Sequence, residues 1–145
     1  MDGGYSGTPL PRKLGIGVGS RVLLVRAPST LELDPLPAGA IVHRRRTGGL
    51  YDVVLLFVIE RHALAELFEK LTGCVVANGA VWVCWPKRAS GVVTDLTENV
   101  VREHGLLVGL VDVKVAAIDA TWSGLKFVRR LADRAAASSR SAGTR

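Results

Sequence analysis

The stretch Ala80–Glu98, AVWVCWPKRASGVVTDLTE, predicts a strand, a polar loop and a helix in direct succession. Ala80–Trp85 is a short apolar run rich in Val and Trp, which is typical of a strand buried on both faces. The proline that follows ends the strand because it has no N–H for the ladder. Lys87–Thr94 is polar, and Asp95 begins a helix with a glutamate three residues later, the spacing of a capping box. Open α/β sheets bind ligands at such junctions, and helix N-termini favour anions.

Two more apolar runs predict strands that are covered on both faces. Arg21–Arg26 and Tyr51–Ile59 are rich in Val and Leu without alternation, as in central parallel strands. Arg61–Leu71 carries apolar residues at helical spacing, so an amphipathic helix follows the second run. Asn78–Gly79 is expected as a turn before the next strand. Ala40–His43 predicts a short strand at a sheet edge, because a basic run follows it at once.

The last third of the chain predicts a helix and then an antiparallel pair of strands. The helix is expected over Asp95–His104, with Gly105 as its C-cap. Val111–Ile118 and Leu125–Arg130 alternate between apolar and polar residues on either side of a short loop, Asp119–Gly124, as antiparallel neighbours do. The odd-numbered valines of the first run are expected to face the core.

These elements predict a small three-layer α/β sheet, mostly parallel with an antiparallel last strand. The order is that of a shortened, Rossmann-like methyltransferase core. We expect an N-terminal arm over residues 1–19, a single Rossmann-like domain over residues 20–131 and a disordered basic tail over residues 132–145. Three apolar side chains are expected to fix the arm across the sheet as one helical turn: Leu10, Leu14 and Ile16.

The composition is that of an ordinary globular protein. The 145 residues are 48% apolar and 22% charged. No apolar run approaches the roughly 20 residues of a membrane helix, and the N-terminus lacks the apolar core of a secretory signal, so we expect a cytoplasmic protein with no membrane partner. The two cysteines and three histidines share no metal-ligand spacing, so no metal site is predicted.

The turn after the first strand lacks the glycines of a dinucleotide or methyl-donor site. Ala27–Thr30, APST, stands where glycines would let the backbone approach a ligand. The glycines Gly15, Gly17 and Gly19 precede the strand instead. No serine elbow, phosphate loop or RNA-binding aromatic signature is present. The sequence therefore predicts no cofactor and favours a domain without catalysis.

Four separated segments resemble a family of small bacterial proteins, the domain of unknown function family 3052. They are Tyr5–Pro9 (YSGTP), Trp85–Gly91 (WPKRASG), Thr94–Glu98 (TDLTE) and Thr121–Leu125 (TWSGL). The resemblance covers the chain up to Arg130, and it implies a Rossmann-like fold related in outline to methyltransferases. It implies no activity or catalytic residue. The chain departs from the family pattern at 15–19, where a Lys-Pro is expected, and at 31–37, which is shortened.

We predict one ligand site, at the loop after Ala80–Trp85 and the helix that follows. Lys87 and Arg88 would hold a phosphate or carboxylate, while Ser90 and helix N–H groups would donate hydrogen bonds. The loop before the last strand is expected at the same edge, where Trp122 would stack on a ligand ring. The predicted site residues are Lys87, Arg88, Ser90, Thr94, Asp95 and Trp122.

Each of these residues also has a purely structural interpretation. The basic loop could be solvated, with Ser90 and Thr94 capping turns. Asp95 and Glu98 form a capping box without any chemistry. Trp122 could cover the end of the sheet as part of the core.

Three functions stay open from the sequence. The first is a non-catalytic Rossmann-like domain that binds a small anionic ligand or a protein partner at Lys87–Asp95. The second is a degenerate S-adenosylmethionine-dependent methyltransferase, which the strand order favours and the missing glycine loop opposes. The third is a nucleic-acid accessory protein that uses Arg44–Arg46 and the basic tail, because a net charge of +6 favours polyanions.

Overall fold

Six strands and three α-helices form one sheet with its covering layers in the computed structural model, which describes residues 7–134. The helices are α1 (Leu10–Lys13), α2 (Arg61–Thr72) and α3 (Glu98–Leu107). The strands are β1 (Arg21–Val25), β2 (Ile41–His43), β3 (Tyr51–Phe57), β4 (Val75–Pro86), β5 (Leu110–Ala117) and β6 (Trp122–Arg129). The expected tail from residue 135 onward lies outside the described residues.

The strand order confirms the predicted fold class. The sheet runs β2-β1-β3-β4-β6-β5, and the β2–β1, β1–β3 and β3–β4 pairs are parallel. β6 is antiparallel to both β4 and β5, so the last strand enters between two strands that precede it in the chain. After β1 the chain moves outward to β2 and then returns past β1 to β3. This reversal puts the topological switch point between β1 and β3.

The two faces of the sheet are covered differently. α2 and α3 pack on one face, where Leu64, Phe68 and Val101 are buried against the sheet. The other face is covered by α1, by the residues after it and by the β1–β2 loop, so the third layer has only one short helix. There the Trp82 indole N–H donates to the Leu14 carbonyl at 3.0 Å, which fixes the arm across the sheet as predicted.

β4 is longer than its apolar run predicted. It begins at Val75, so Asn78–Gly79 lies inside the strand and is not the predicted turn. The register against β3 shifts at this point, and an added Cβ at Gly79 would lie 2.8 Å from the Asp52 carbonyl oxygen. Glycine is needed here because β3 passes so close to the strand. Pro86 is the last residue of β4 and pairs with Trp122, a position at which no further ladder N–H is required.

α3 begins and ends later than predicted. Thr97 is its N-cap, and its hydroxyl accepts from the Val100 N–H at 3.2 Å, so the predicted capping box at Asp95 is wrong. Gly105 lies in the helix interior against Phe127 and is not a C-cap. The left-handed glycine after the helix is Gly109, with φ 87°.

The predicted inward valines of β5 are wrong because the strand contains a bulge. Its register against β6 shifts between Asp112 and Lys114, so one extra residue interrupts the alternation. Val113 and Val115 are 53% and 48% exposed. β5 is an edge strand, and its second half extends where nothing described covers these side chains.

Candidate functional site

A cavity of about 600 Å³ lies at the carboxyl end of β4, on the face that carries the helices. Its walls are the end of the strand, the loop that follows and the first turn of α3, so the three parts of the opening stretch meet around it. Twelve residues line it: Trp85, Pro86, Lys87, Arg88, Gly91, Val92, Val93, Thr94, Leu96, Thr97, Glu98 and Ser123. This volume is within the range of small-molecule sites.

A short 3-10 turn over Arg88–Ser90 gives the loop its shape. The Ser90 hydroxyl donates to the Lys87 carbonyl at 2.7 Å and accepts from the Val92 N–H at 3.1 Å. Gly91 closes the turn with φ 79°, a left-handed conformation that glycine adopts without strain. Both hydrogen bonds of the Ser90 hydroxyl are therefore made within the loop, and Ser90 does not line the cavity.

Thr94 and Asp95 attach the same loop to the start of α2. The Thr94 hydroxyl donates to the Ile59 carbonyl at 2.6 Å and accepts from the Leu96 N–H at 3.1 Å. One Asp95 carboxylate oxygen accepts from the Arg61 N–H at 2.8 Å, which satisfies a first-turn donor of α2. Asp95 thus caps the neighbouring helix across the fold, and both side chains position the loop. Their role as ligand contacts stays a prediction.

The charges around the cavity leave its two cations without a protein partner. The side chains of Lys87 and Arg88 make no hydrogen bond or ion pair within residues 7–134. Glu98 also lines the cavity, but its carboxylate is bound by the Arg102 guanidinium at 2.6 Å. The N–H groups of Glu98 and Asn99 have no partner inside the helix because they lie in its first turn. The cavity is therefore electropositive.

The loop before β6 does lie at the same edge, although Trp122 faces away. The Lys87 N–H donates to the Thr121 carbonyl at 2.8 Å, and Ser123 lines the cavity. The Trp122 ring packs edge-on against Phe57 with 5.1 Å between centroids, on the opposite face of the sheet. Because Trp122 is absent from the lining, the ring is not placed to stack on a ligand beside Lys87.

Sequence reasoning missed the apolar part of the lining and Ser123. The sequence predicts a polar loop over Lys87–Thr94, although Val92 and Val93 lie within it. Their position at the cavity follows from the turn at Gly91. Ser123 pairs with Trp85 in the β4–β6 ladder. The alternation of Leu125–Arg130 could have located it if the antiparallel strand had been extended two residues toward the loop.

A second cavity, of about 480 Å³, lies between the arm and the β1–β2 loop. It has a different chemical character, because Glu32, Asp34 and Asp119 contribute carboxylates while Lys13 is the one cation among its described lining residues. One Asp119 oxygen already accepts from the N–H groups of Thr121 and Trp122. Sequence analysis did not predict this cavity, because its walls come from three segments. The second and third segments lie about 20 and about 110 residues after the first.

No protein-family model matches the sequence, and no curated protein matches it either. The resemblance to the domain of unknown function family 3052 therefore stays a prediction.

Solved structures nevertheless share the fold. The chain is similar to magnesium protoporphyrin IX methyltransferase ChlM from Synechocystis PCC 6803 with bound SAM, at TM-score 0.54 and 9% identity over 83% of this chain and 74% of that one. It is similar to N-methyltransferase NodS from Bradyrhizobium japonicum WM9 at TM-score 0.53 and 13% identity, over 85% and 98% of the two chains. For the pyocyanin biosynthetic protein PhzM the TM-score is 0.55 at 12% identity, over 83% of this chain and 53% of that one. The chain thus spans about half of PhzM, and the protein has a methyltransferase-like Rossmann fold.

The residues at the end of β1 do not fit S-adenosylmethionine, the cofactor bound in one of these structures. No glycine lies between Ser20 and Ala38, and the turn after β1 has Arg26 in a left-handed conformation with φ 61°. β2 is followed by Arg44–Arg46, where dinucleotide folds carry an acidic residue for a ribose. The Arg44 guanidinium lies 3.5 Å from the Ala27 carbonyl oxygen. An arginine thus follows each of the two strands, and these charges would disfavour a cofactor that carries a sulfonium cation.

Within residues 7–134, no group of three or more His, Cys, Asp or Glu side chains is arranged to hold a metal ion. None of the described helices is both long enough and apolar enough to span a bilayer.

Proposed function

We propose that this protein is a non-catalytic, methyltransferase-like domain that binds a small anion in the cavity at the carboxyl end of β4. The observation that carries the proposal is the pair of cations, Lys87 and Arg88, which line one cavity and have no hydrogen-bond or ion-pair partner among residues 7–134. Ordinary surface cations face open solvent, whereas these two share a concave wall with the first turn of α3. A helix N-terminus adds N–H donors to the same space.

The loop is already held in shape, which lowers the ordering cost of binding. Ser90 fixes its first half, while Thr94 and Asp95 attach its second half to the start of α2. Hydrogen bonds to charged groups contribute about 1.5–3 kcal/mol each. Two such bonds predict a dissociation constant from about 40 μM to a few millimolar for a simple phosphate.

Titration calorimetry and thermal shift with inorganic phosphate and pyrophosphate test the proposal. The informative variant is Lys87→Gln/Arg88→Gln, which keeps side-chain length and removes two charges. Lys70→Gln/Arg130→Gln removes the same two charges from exposed positions elsewhere and is the matched control. We expect binding in the wild type and the control and at least tenfold weaker binding in the first variant. Equal binding in all three proteins would overturn the assignment to this cavity.

The fold itself favours a second candidate, a degenerate S-adenosylmethionine-dependent methyltransferase. The strand order and the structures similar to this chain support it. The arginines at the ends of β1 and β2 oppose it, because they would repel a sulfonium. Calorimetry with S-adenosylmethionine decides between the two candidates: no heat at millimolar concentration would exclude the cofactor.

A nucleic-acid interface through Arg44–Arg46 stays a prediction. These side chains are exposed beyond the edge strand β2, and the tail that would assist them lies outside the described residues from residue 135 onward. Binding to duplex or single strands that weakens steeply with salt would support this interface.

A further inference from the structure

Two neighbouring valines at the mouth of the β4 cavity are held in solvent. Val93 is 91% exposed and Val92 is 42% exposed, and both line the cavity beside its cations. Single exposed apolar side chains are common on protein surfaces. Here, however, the backbone on both sides is fixed, through the Ser90 hydroxyl before the pair and the Thr94 hydroxyl after it. The fixed backbone thus holds two β-branched side chains at positions where they are exposed to solvent.

The cavity therefore has two chemically distinct parts. Lys87 and Arg88 supply positive charge, while Val92 and Val93 supply apolar surface, and the buried Leu96 also lines the cavity. A bare inorganic anion would use only the charged part. An organic anion with an apolar group would also cover the valines, and covering them removes apolar area from water.

We propose that the ligand is an amphipathic anion, a phosphate monoester or carboxylate joined to an alkyl chain or an apolar ring. The anionic group lies at Lys87 and Arg88, and the apolar group covers Val92 and Val93. This inference rests on the proposed anion site and names the class of ligand that the site prefers. The acidic cavity on the opposite face, lined by Glu32 and Asp34, has the wrong charge for the same ligand.

A series of alkyl phosphates measures how much the apolar part of the site contributes to affinity, independently of the charged part. Methyl, butyl and hexyl phosphate carry the same head group, so calorimetry across the series measures the apolar contribution alone. Burial of one methylene contributes about 0.8 kcal/mol when complete, or about fourfold in affinity, and we expect about twofold per methylene in this open cavity. A dissociation constant that does not change with chain length overturns the inference, while the proposed anion site would stand if methyl phosphate still binds.

Val93→Ser tests the apolar wall, and Val18→Ser is its matched control because Val18 is 82% exposed and lies outside the cavity lining. We expect Val93→Ser to weaken hexyl phosphate binding about threefold to tenfold and to leave methyl phosphate binding unchanged. Val18→Ser should leave both unchanged. Unchanged binding of hexyl phosphate in Val93→Ser would overturn the inference, because the apolar group would then not cover that side chain.

Binding to vesicles that contain phosphatidic acid tests whether the amphipathic anion is a free molecule or a membrane lipid. Tighter binding to monomeric hexyl phosphate than to vesicles indicates a free ligand. Tighter binding to vesicles, lost in Lys87→Gln/Arg88→Gln, indicates a lipid with the same head group and chain. Both outcomes support an amphipathic anion, whereas binding to neither overturns it.

Discussion

Replacing Gly105 by alanine tests how α3, whose first turn forms one wall of the site, is seated on the sheet. Gly105 lies inside the helix, where alanine is favoured over glycine by about 1 kcal/mol. An added Cβ would, however, overlap the edge of the Phe127 ring, lying 2.5 Å from its Cδ1 and 2.7 Å from its Cζ. Phe127 is fully buried and packs edge-on against Phe68 with 5.1 Å between centroids, so its ring has little room to move.

The overlap should outweigh the helix preference. Overpacking of a dense core costs about 1–3 kcal/mol, and the required ring displacement of more than 1 Å puts this site at the upper end. We expect a net loss of about 2 kcal/mol in the free energy of unfolding, which lowers the thermal midpoint by about 5–10 °C. Urea titration and calorimetry measure both quantities.

Gly109→Ala and a second-site change complete the experiment. Gly109 has φ 87° and open space around its Cα, so alanine there costs only backbone strain, about 1 kcal/mol. Phe127→Leu makes room and should recover part of the loss from Gly105→Ala, but none of the loss from Gly109→Ala. If Gly105→Ala stabilised the protein, or if Phe127→Leu gave no recovery, the packing of α3 on β6 would be wrong.

Three other outcomes follow from single contacts. Asp95→Ala should lower stability in urea by about 1 kcal/mol, because it leaves the Arg61 N–H at the start of α2 without its acceptor, and an unchanged midpoint would refute that cap. The hydrogen bond from Arg102 lowers the pKa of the Asp112 carboxyl below its ordinary 3.8, so the stability it contributes is present at neutral pH and is lost as pH falls through the folded-state value. Arg102→Met should therefore flatten the acid side of the pH–stability curve, and an unaltered curve would contradict this. Burial raises the pKa of the Cys84 thiol, so iodoacetamide at pH 8 should modify it only after unfolding, which mass spectrometry measures.

Much of the fold could be predicted because strands covered on both faces have a simple sequence pattern. The runs at Arg21–Arg26 and Tyr51–Ile59 contain few polar residues, and each became a central strand within two residues of its predicted ends. The antiparallel pairing of β5 with β6 also followed from alternation and a short loop. These features depend on local periodicity and on the rule that a crossover is right-handed.

The errors share a different cause, which is contact between segments distant in the chain. Asn78–Gly79 has the composition of a turn, yet both residues lie within β4. Glycine is required there because β3 passes close to Gly79. Asp95 satisfies a helix N-terminus, but the helix is α2 and not the one that follows it. The prediction that Asp95 caps a helix was correct, but the helix is α2 and not α3. The spacing of residues around Asp95 does not distinguish the two helices.

The position of the candidate site within this fold follows from where positive charge is confined. Arginines after β1 and β2 make that part of the carboxyl edge cationic, but they are exposed, so salt screens them and mobile side chains give little directional binding. Arg88 is exposed as well, but it and the half-buried Lys87 line a cavity whose loop is hydrogen bonded to the start of α2. A fixed wall reduces the ordering cost and excludes part of the solvent, so equal charge produces tighter and more specific binding there. We therefore expect the proposed anion at the carboxyl end of β4 rather than at the end of β1.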